Sequence, residues 1–261
     1  MARYGGDTSS VLVASGGGDK LILDAGTGIR KLGERLPRGL ARIDILLTHL
    51  HMDHIQGLGF FPPLADADID VHIWGPPSST HPLEARLARY LSPPLFPVHF
   101  RDLPAVTCHE CPTDGFEIGP FSIQTSLVCH PDPTLGYRIT LGDRALTYIP
   151  DHEPALCLVD GAWPEHSWIS GHDLALDADL LLHDAQYSDE EYARSVGFGH
   201  CSYRHAFAFA ALAHVRELVP FHHDPAHDDQ TLDRLFEDTL QCFKPGFQVS
   251  KGCEGAVFQL G

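Results

Sequence analysis

The stretch Thr48-His49-Leu50-His51-Met52-Asp53-His54 decides how the rest of the chain is read. It follows an apolar run, Ile43 to Leu47, broken only by Asp44, that reads as a buried strand. It precedes Ile55 to Leu64, a Gly-containing stretch that reads as a turn into a helix. Three imidazoles and a carboxylate therefore crowd the C-terminal end of one strand. Mixed N and O donors at that density have a physical reason at a metal site. Alternation puts His49 and His51 on one side of an extended segment, and the turn brings Asp53 and His54 round from another direction. One such cluster can serve two adjacent ions. The bland alternative is a His-rich surface loop in a chain with 18 His. The abrupt join to a β-branched strand, and further His and Asp downstream, speak against it.

The string resembles the HxHxDH motif of the metallo-β-lactamase superfamily, and the resemblance extends from Gly5 almost to the end of the chain. Within it, the chain looks most like the phosphodiesterase branch, which includes the tRNA 3′-processing endonuclease and small cyclic phosphodiesterases. The resemblance implies an α+β fold, an αββα sandwich of two mixed sheets with helices outside. With no linker and no repeat in view, the sequence reads as a single domain over 1–261. Members of the branch carry a further strand before the segment matching Tyr4-Gly5-Gly6, so the opening strand is expected to be missing here.

Composition narrows the partners. The 261 residues are 43% hydrophobic and 20% charged, ordinary for a globular protein. With 18 basic and 35 acidic residues the formal charge is −17, which repels polyanions at long range. No Lys/Arg-rich, Gly-flanked insertion stands out. The expectation is a small anionic ester substrate and no large nucleic acid. Seven Cys without framework spacing suggest a reducing compartment. Cys108-His109-Glu110-Cys111 is a lone CxxC, read as two thiols in a loop. There is no secretion signal and no apolar run of the ~20 residues that span a membrane, so a cytoplasmic protein is expected.

Along the chain, Val11 to Ala14 and Lys20 to Asp24 read as a hairpin around Gly16-Gly17-Gly18-Asp19, and Ile29 to Leu36 as a helix. The Pro-rich stretch 76–104 encloses a helix-like segment, Leu83 to Leu91, and reads either as surface packing or as a lid or dimer-contact arm. Strands are expected at Phe116 to Ile118, Phe121 to Thr125, Leu135 to Ile139, Ala145 to Ile149, Leu180 to Asp184 and Leu218 to Phe221. Helices are expected at Glu190 to Val196 and Arg204 to Leu218, with a last one capped by Asp228 or Asp229. Strand ends thus carry His or Asp at 49–54, 130, 151, 183–184 and 222.

By resemblance, His49, His51 and His130 hold one divalent ion, and Asp53, His54 and His222 a second. Asp151 bridges them, with a water or hydroxide as the other bridge. The ions are expected to be Zn, with Mn or Fe as alternatives. Asp24 matches the position that orients the metal loop. His200 in Gly199-His200-Cys201-Ser202 matches the branch's His-Ser-Ser/Thr motif with Cys in place of the first Ser; it is expected to contact phosphate and protonate the leaving group, oriented by Asp184. His152 stands where relatives carry Thr. A homodimer is the state that relatives suggest.

The leading expectation is a dinuclear metal-dependent phosphodiesterase acting on small, cyclic or linear, diesters through a metal-bridging hydroxide, with Asp53, His200 and Asp184 as catalytic groups. Hydrolysis of another ester (lactone, thioester, sulfate or phosphotriester) on the same site is the alternative. A non-catalytic metal-binding signalling module is the reading from another class. It predicts a damaged ligand set, and none is visible. A lactamase is disfavoured by Asp151, and a flavodiiron oxidoreductase by His51 at the position of a Glu.

Overall fold

The computed structural model describes residues 3–37, 39–158 and 162–260. The chain divides into two compact units, one of Asp7–Pro120 and the other of Phe121–Gly261 with Met1–Gly6.

The first unit contains β1 (Val11–Ala14), β2 (Lys20–Leu23), α1 (Gly28–Arg35), β3 (Arg42–Leu46), α2 (Met52–Ile55), β4 (Asp70–Gly75), α3 (Leu83–Leu87), β5 (Val106–Glu110) and β6 (Phe116–Ile118). Its sheet runs β1-β2-β3-β4-β5, with β1 antiparallel to β2 and the rest parallel. Alternation sends Ile43, Ile45, Val71 and Ile73 to one face, where they pack with Ile29 of α1 and Leu83 and Leu87 of α3. The parallel register pairs Leu23 with Leu46, so β2 and β3 end side by side.

The Pro-rich stretch contributes Leu83, Leu87, Leu91 and Phe100 to this core. The Cys108 segment is not a loop. It is the edge strand β5, because Val106 and Cys108 alternate onto the core while Thr107 between them is exposed.

The second unit contains β7 (Phe121–Leu127), β8 (Leu135–Leu141), β9 (Arg144–Ile149), α4 (His172–Ala175), β10 (Leu180–Asp184), α5 (Asp189–Ser195), α6 (Tyr203–Leu212), β11 (Glu217–Phe221), α7 (Asp229–Phe243) and β12 (Gln248–Val249). Its strands lie in the order β12-β11-β10-β9-β8-β7. Strands β9 to β12 are parallel, and β7-β8-β9 is an antiparallel meander.

Helix α6 is apolar nearly all round, and Phe207 and Phe209 are fully buried against Leu181, Leu218 and Phe236. Burial of each such ring contributes roughly 1.5–3 kcal/mol. The helix stops at Leu212, earlier than expected, because His214 turns the chain at φ +52 toward β11. Ser188 forms a reciprocal capping box with Glu191 on α5, and Asp228 caps α7 by accepting from the Thr231 N–H. No helix among the described residues is long and apolar enough to cross a membrane.

All seven cysteines are free, and their environments differ. Cys242 is exposed on α7. Burial, with the nearby Glu84, pushes the Cys108 thiol up to about 12, and burial raises that of Cys201 as well. Thiol titration of the native protein at pH 8 is therefore expected to label Cys242 first and to reach Cys108 and Cys201 only after unfolding. Early labelling of Cys201 would contradict the packing under α6.

Candidate functional site

Each unit carries a cluster of donors just beyond strand ends. In the first unit, His49 lies just past β3 and is buried, His51 is exposed at the start of α2, Asp53 is half-buried and His54 is fully buried. The His49 ring stands 4.4 Å from that of His51 and 4.3 Å from that of His54. Asp24 follows β2 directly and, at φ +56, turns its buried carboxylate toward the end of β3. One oxygen accepts the Thr48 N–H at 2.7 Å, and the other faces His54 Nδ1 at 2.8 Å. The Thr48 hydroxyl donates to the same carboxylate at 3.0 Å, so its oxygen is left to accept from His49 Nδ1 at 3.0 Å. Both imidazoles thereby carry their proton on Nδ1 and present Nε2 as a lone-pair donor. Asp53 Oδ2 stands 3.3 Å from His54 Nε2. The loop is packed without slack: a Cβ on Gly26 would lie 2.3 Å from the Asp53 carbonyl oxygen, and one on Gly57 2.0 Å from that of Gly26.

The second unit repeats the device. His130 Nδ1 donates to the Gly199 carbonyl at 2.8 Å, and His222 Nδ1 to Gln186 Oε1 at 3.0 Å. Asp151, buried just beyond β9, has one oxygen 3.7 Å from His130 Nε2 and the other 3.5 Å from His222 Nε2. Two ligands on a tetrahedral ion at ~2.0–2.1 Å stand about 3.3 Å apart. The separations here are somewhat longer, and a different imidazole faces each oxygen of Asp151. Donor atoms of Asp151, His200 and His222 lie within 4.8 Å of one another.

His200 sits beside these groups, its ring stacked on His222 at 5.0 Å and edge-on to His130 at 5.0 Å. Its Nδ1 donates to Asp184 Oδ2 at 2.7 Å. The backbone N–H groups of His152, Gln186 and Cys201 also point at the buried Asp184 carboxylate, at 3.2, 3.1 and 3.0 Å. With its acceptor sites filled by donors, Asp184 orients His200.

His152 has a structural place: its Nδ1 meets His183 Nε2 at 2.9 Å, while His183 Nδ1 donates to the Asp184 carbonyl at 2.8 Å. Burial holds His183 down at about 4 and lowers His152 as well, so the pair is neutral at pH 7. Sequence reading missed two groups, Gln186 behind His222 and Glu153, whose buried carboxylate accepts from the Gly197 and Gly199 N–H groups.

A model of the β-lactamase superfamily domain matches residues 19–223. The chain belongs to this superfamily. It is accordingly a metal-dependent hydrolase with the α+β metallo-β-lactamase fold expected from its sequence. A protein named Ribonuclease Z from Gemmatimonas aurantiaca is 27% identical over 258 residues, covering 83% of this chain and 80% of the relative. Among solved structures, the metallo-β-lactamase fold protein YhfI from Bacillus subtilis has a TM-score of 0.70 at 21% identity, covering 97% of this chain and 92% of its own. Human tRNase Z, short form, has a TM-score of 0.66 at 20% identity, covering 97% and 93%. Zn(2+)-bound PqqB from Methylobacterium extorquens has a TM-score of 0.68 at 20% identity, covering 94% and 85%. Divalent metal ions are what the superfamily implies for the donor clusters.

These likenesses correct one expectation. No large nucleic acid was anticipated as a partner, yet the chain aligns over most of its length with a ribonuclease. The inference failed because −17 is a sum over the whole surface. Charges farther from a phosphate than about 8 Å are largely screened at physiological ionic strength.

The tether at Asp24 yields a direct test. Asp24→Asn keeps the shape and tolerates the left-handed backbone but removes one acceptor. Metal affinity is expected to fall roughly 10–100-fold with the thermal transition retained, read by chelator competition. Unchanged affinity would mean that Asp24 serves the fold alone.

Proposed function

We propose that this chain is a dinuclear metal-dependent phosphodiesterase, most economically a zinc enzyme, that hydrolyses a phosphodiester bond in RNA. His49, His51 and His130 would hold one ion, Asp53, His54 and His222 the other, and Asp151 would bridge them. The observation that carries this reading is the set of four imidazoles, His49, His54, His130 and His222, each tied through Nδ1 to a protein partner. Together with Asp151 between His130 and His222, this is a donor set prepared for ions.

When bound, such ions supply a water acidic enough to ionise near neutral pH and positive charge for the phosphoryl oxygens. The chain's own groups do the rest. The Asp53 carboxylate accepts a proton from the attacking water. His200 contacts the phosphate and gives the proton on Nε2 to the departing oxygen, while Asp184 fixes the ring through Nδ1. RNA as the substrate is supported by the ribonuclease and tRNase relatives. The same donor set would act on any phosphodiester, so a small diester such as a cyclic phosphate is the second reading.

Metal analysis and activity separate these readings. About two ions per chain and chelator-sensitive cleavage of a precursor tRNA or of small diesters are expected. One ion or none would overturn the ligand set. Asp53→Ala is expected to abolish hydrolysis, and retention within about tenfold of wild type would remove it from the site. His200→Ala is expected to cost roughly 10²–10⁴-fold on alkoxide leaving groups and far less on p-nitrophenolate. Equal losses would remove His200 from the acid role.

A further inference from the structure

Between α5 and His200 the chain runs Val196-Gly197-Phe198-Gly199, with Gly197 at φ +88 and Gly199 at φ +89. The Glu153 carboxylate, fully buried, grips this loop on both sides of Phe198: one oxygen accepts the Gly197 N–H at 2.8 Å, and the other the Gly199 N–H at 2.8 Å. The Tyr192 hydroxyl donates to the first oxygen at 3.0 Å. A carboxylate taken out of water is costly, and here the offset comes from three donors, two of them backbone groups of one short loop. The loop is also pressed onto its neighbours. A Cβ on Gly199 would stand 2.2 Å from Pro131 and 2.4 Å from His130 Nδ1.

Phe198, between the two gripped amides, is 64% exposed. A lone exposed Phe is unremarkable on a mobile surface. This one has its own N–H bonded to the Ser195 carbonyl at 3.1 Å and both neighbouring amides held by a buried anion. It also lies two residues before His200, a span of at most about 7 Å of chain, short enough for one nucleotide to touch both. An exposed ring on a backbone held at both neighbouring amides, two residues from His200, suits the flat face of a base, which stacks on aromatic side chains whatever its sequence.

We propose that Phe198 is a stacking platform for a nucleobase next to the scissile phosphate, and that Glu153 is the positioning residue that holds it there. This rests on the phosphodiesterase reading above and adds the recognition of a nucleoside to it.

The test uses two diesters with one leaving group, thymidine 5′-(p-nitrophenyl phosphate) and methyl p-nitrophenyl phosphate, on the metal-replete protein. Phe198→Ala is expected to lower the ratio of kcat/KM between the nucleoside and methyl substrates roughly tenfold, mainly through KM. Phe198→Trp keeps the ratio, and Phe198→Leu, apolar but without a ring, does not. Glu153→Gln places an amide N–H₂ against backbone donors and is expected to lower the same ratio; a role in stability alone would lower the thermal transition with the ratio at its wild-type value. A wild-type ratio in Phe198→Ala, or equal losses on both substrates, overturns the proposal. So does a changed oligomer mass with the ratio intact, which would make Phe198 a contact between copies. Should the wild type hydrolyse neither diester, the phosphodiesterase reading fails by itself. Calorimetric binding of thymidine 5′-monophosphate then decides the platform: roughly tenfold weaker binding to Phe198→Ala sustains it, and equal binding overturns it.

Discussion

A metal-ligating imidazole almost always donates its other ring N–H to a fixed acceptor, which sets its tautomer. That constraint organises both donor clusters. In the first unit a single carboxylate, Asp24, does this for two rings, directly for His54 and through the Thr48 hydroxyl for His49. Asp24 reaches both because β2 and β3 are parallel and end in register, so the residue after one strand lies against the loop after the other. Sheet topology, hydrogen bonding and tautomer form one chain of cause, and a change at any step reaches the donor atoms.

The second unit meets the same need with three acceptors of different kinds, a backbone carbonyl for His130, an amide for His222 and a carboxylate for His200. Each acceptor fixes the ring's tautomer by taking the Nδ1 proton, whatever its own charge, as the Asp24 carboxylate does for His54. Gln186 behind His222 and Asp184 behind His200 thereby hold two rings that stack at 5.0 Å.

Much of this was legible in the chain. The apolar run 43–47 followed by His49, His51, Asp53 and His54 announced both a strand and its site, because periodicity and donor chemistry change at the same residue. Asp24 was readable as an orienting group only through the resemblance to the superfamily, whose members carry an Asp at that position. Other features were not. Gln186 and Glu153 sit in strings that look like ordinary surface, and only the fold brings them under His222 and Gly199. The segment at Cys108 carries a CxxC spacing that drew attention to thiols, while its alternation of Val106 and Cys108 toward the core was the informative pattern. Helix α6 was drawn too long because Val215 continues its apolar stripe, and nothing local marks His214 as the turn except a residue type that tolerates a left-handed backbone. Net charge misled about partners because it carries no position.

The backbone itself points to where the fold spends stability on the site. Asp24 and His222 each follow the last residue of a parallel strand, and each takes a positive φ, +56 in both cases. Such a conformation costs an ordinary side chain of order 1–3 kcal/mol and is tolerated best by Asp, Asn and His. At these two points it turns the side chain aside from the strand direction, toward the sheet edge where the other donors lie. Gly199 extends the pattern in a residue without a side chain, since its carbonyl must approach His130 where no Cβ fits. Polar contacts offset the strain at Asp24 and His222, and those same contacts fix the tautomers. The hydrogen bonds that accompany the left-handed turns at Asp24 and His222 are therefore the same ones that fix the imidazole tautomers.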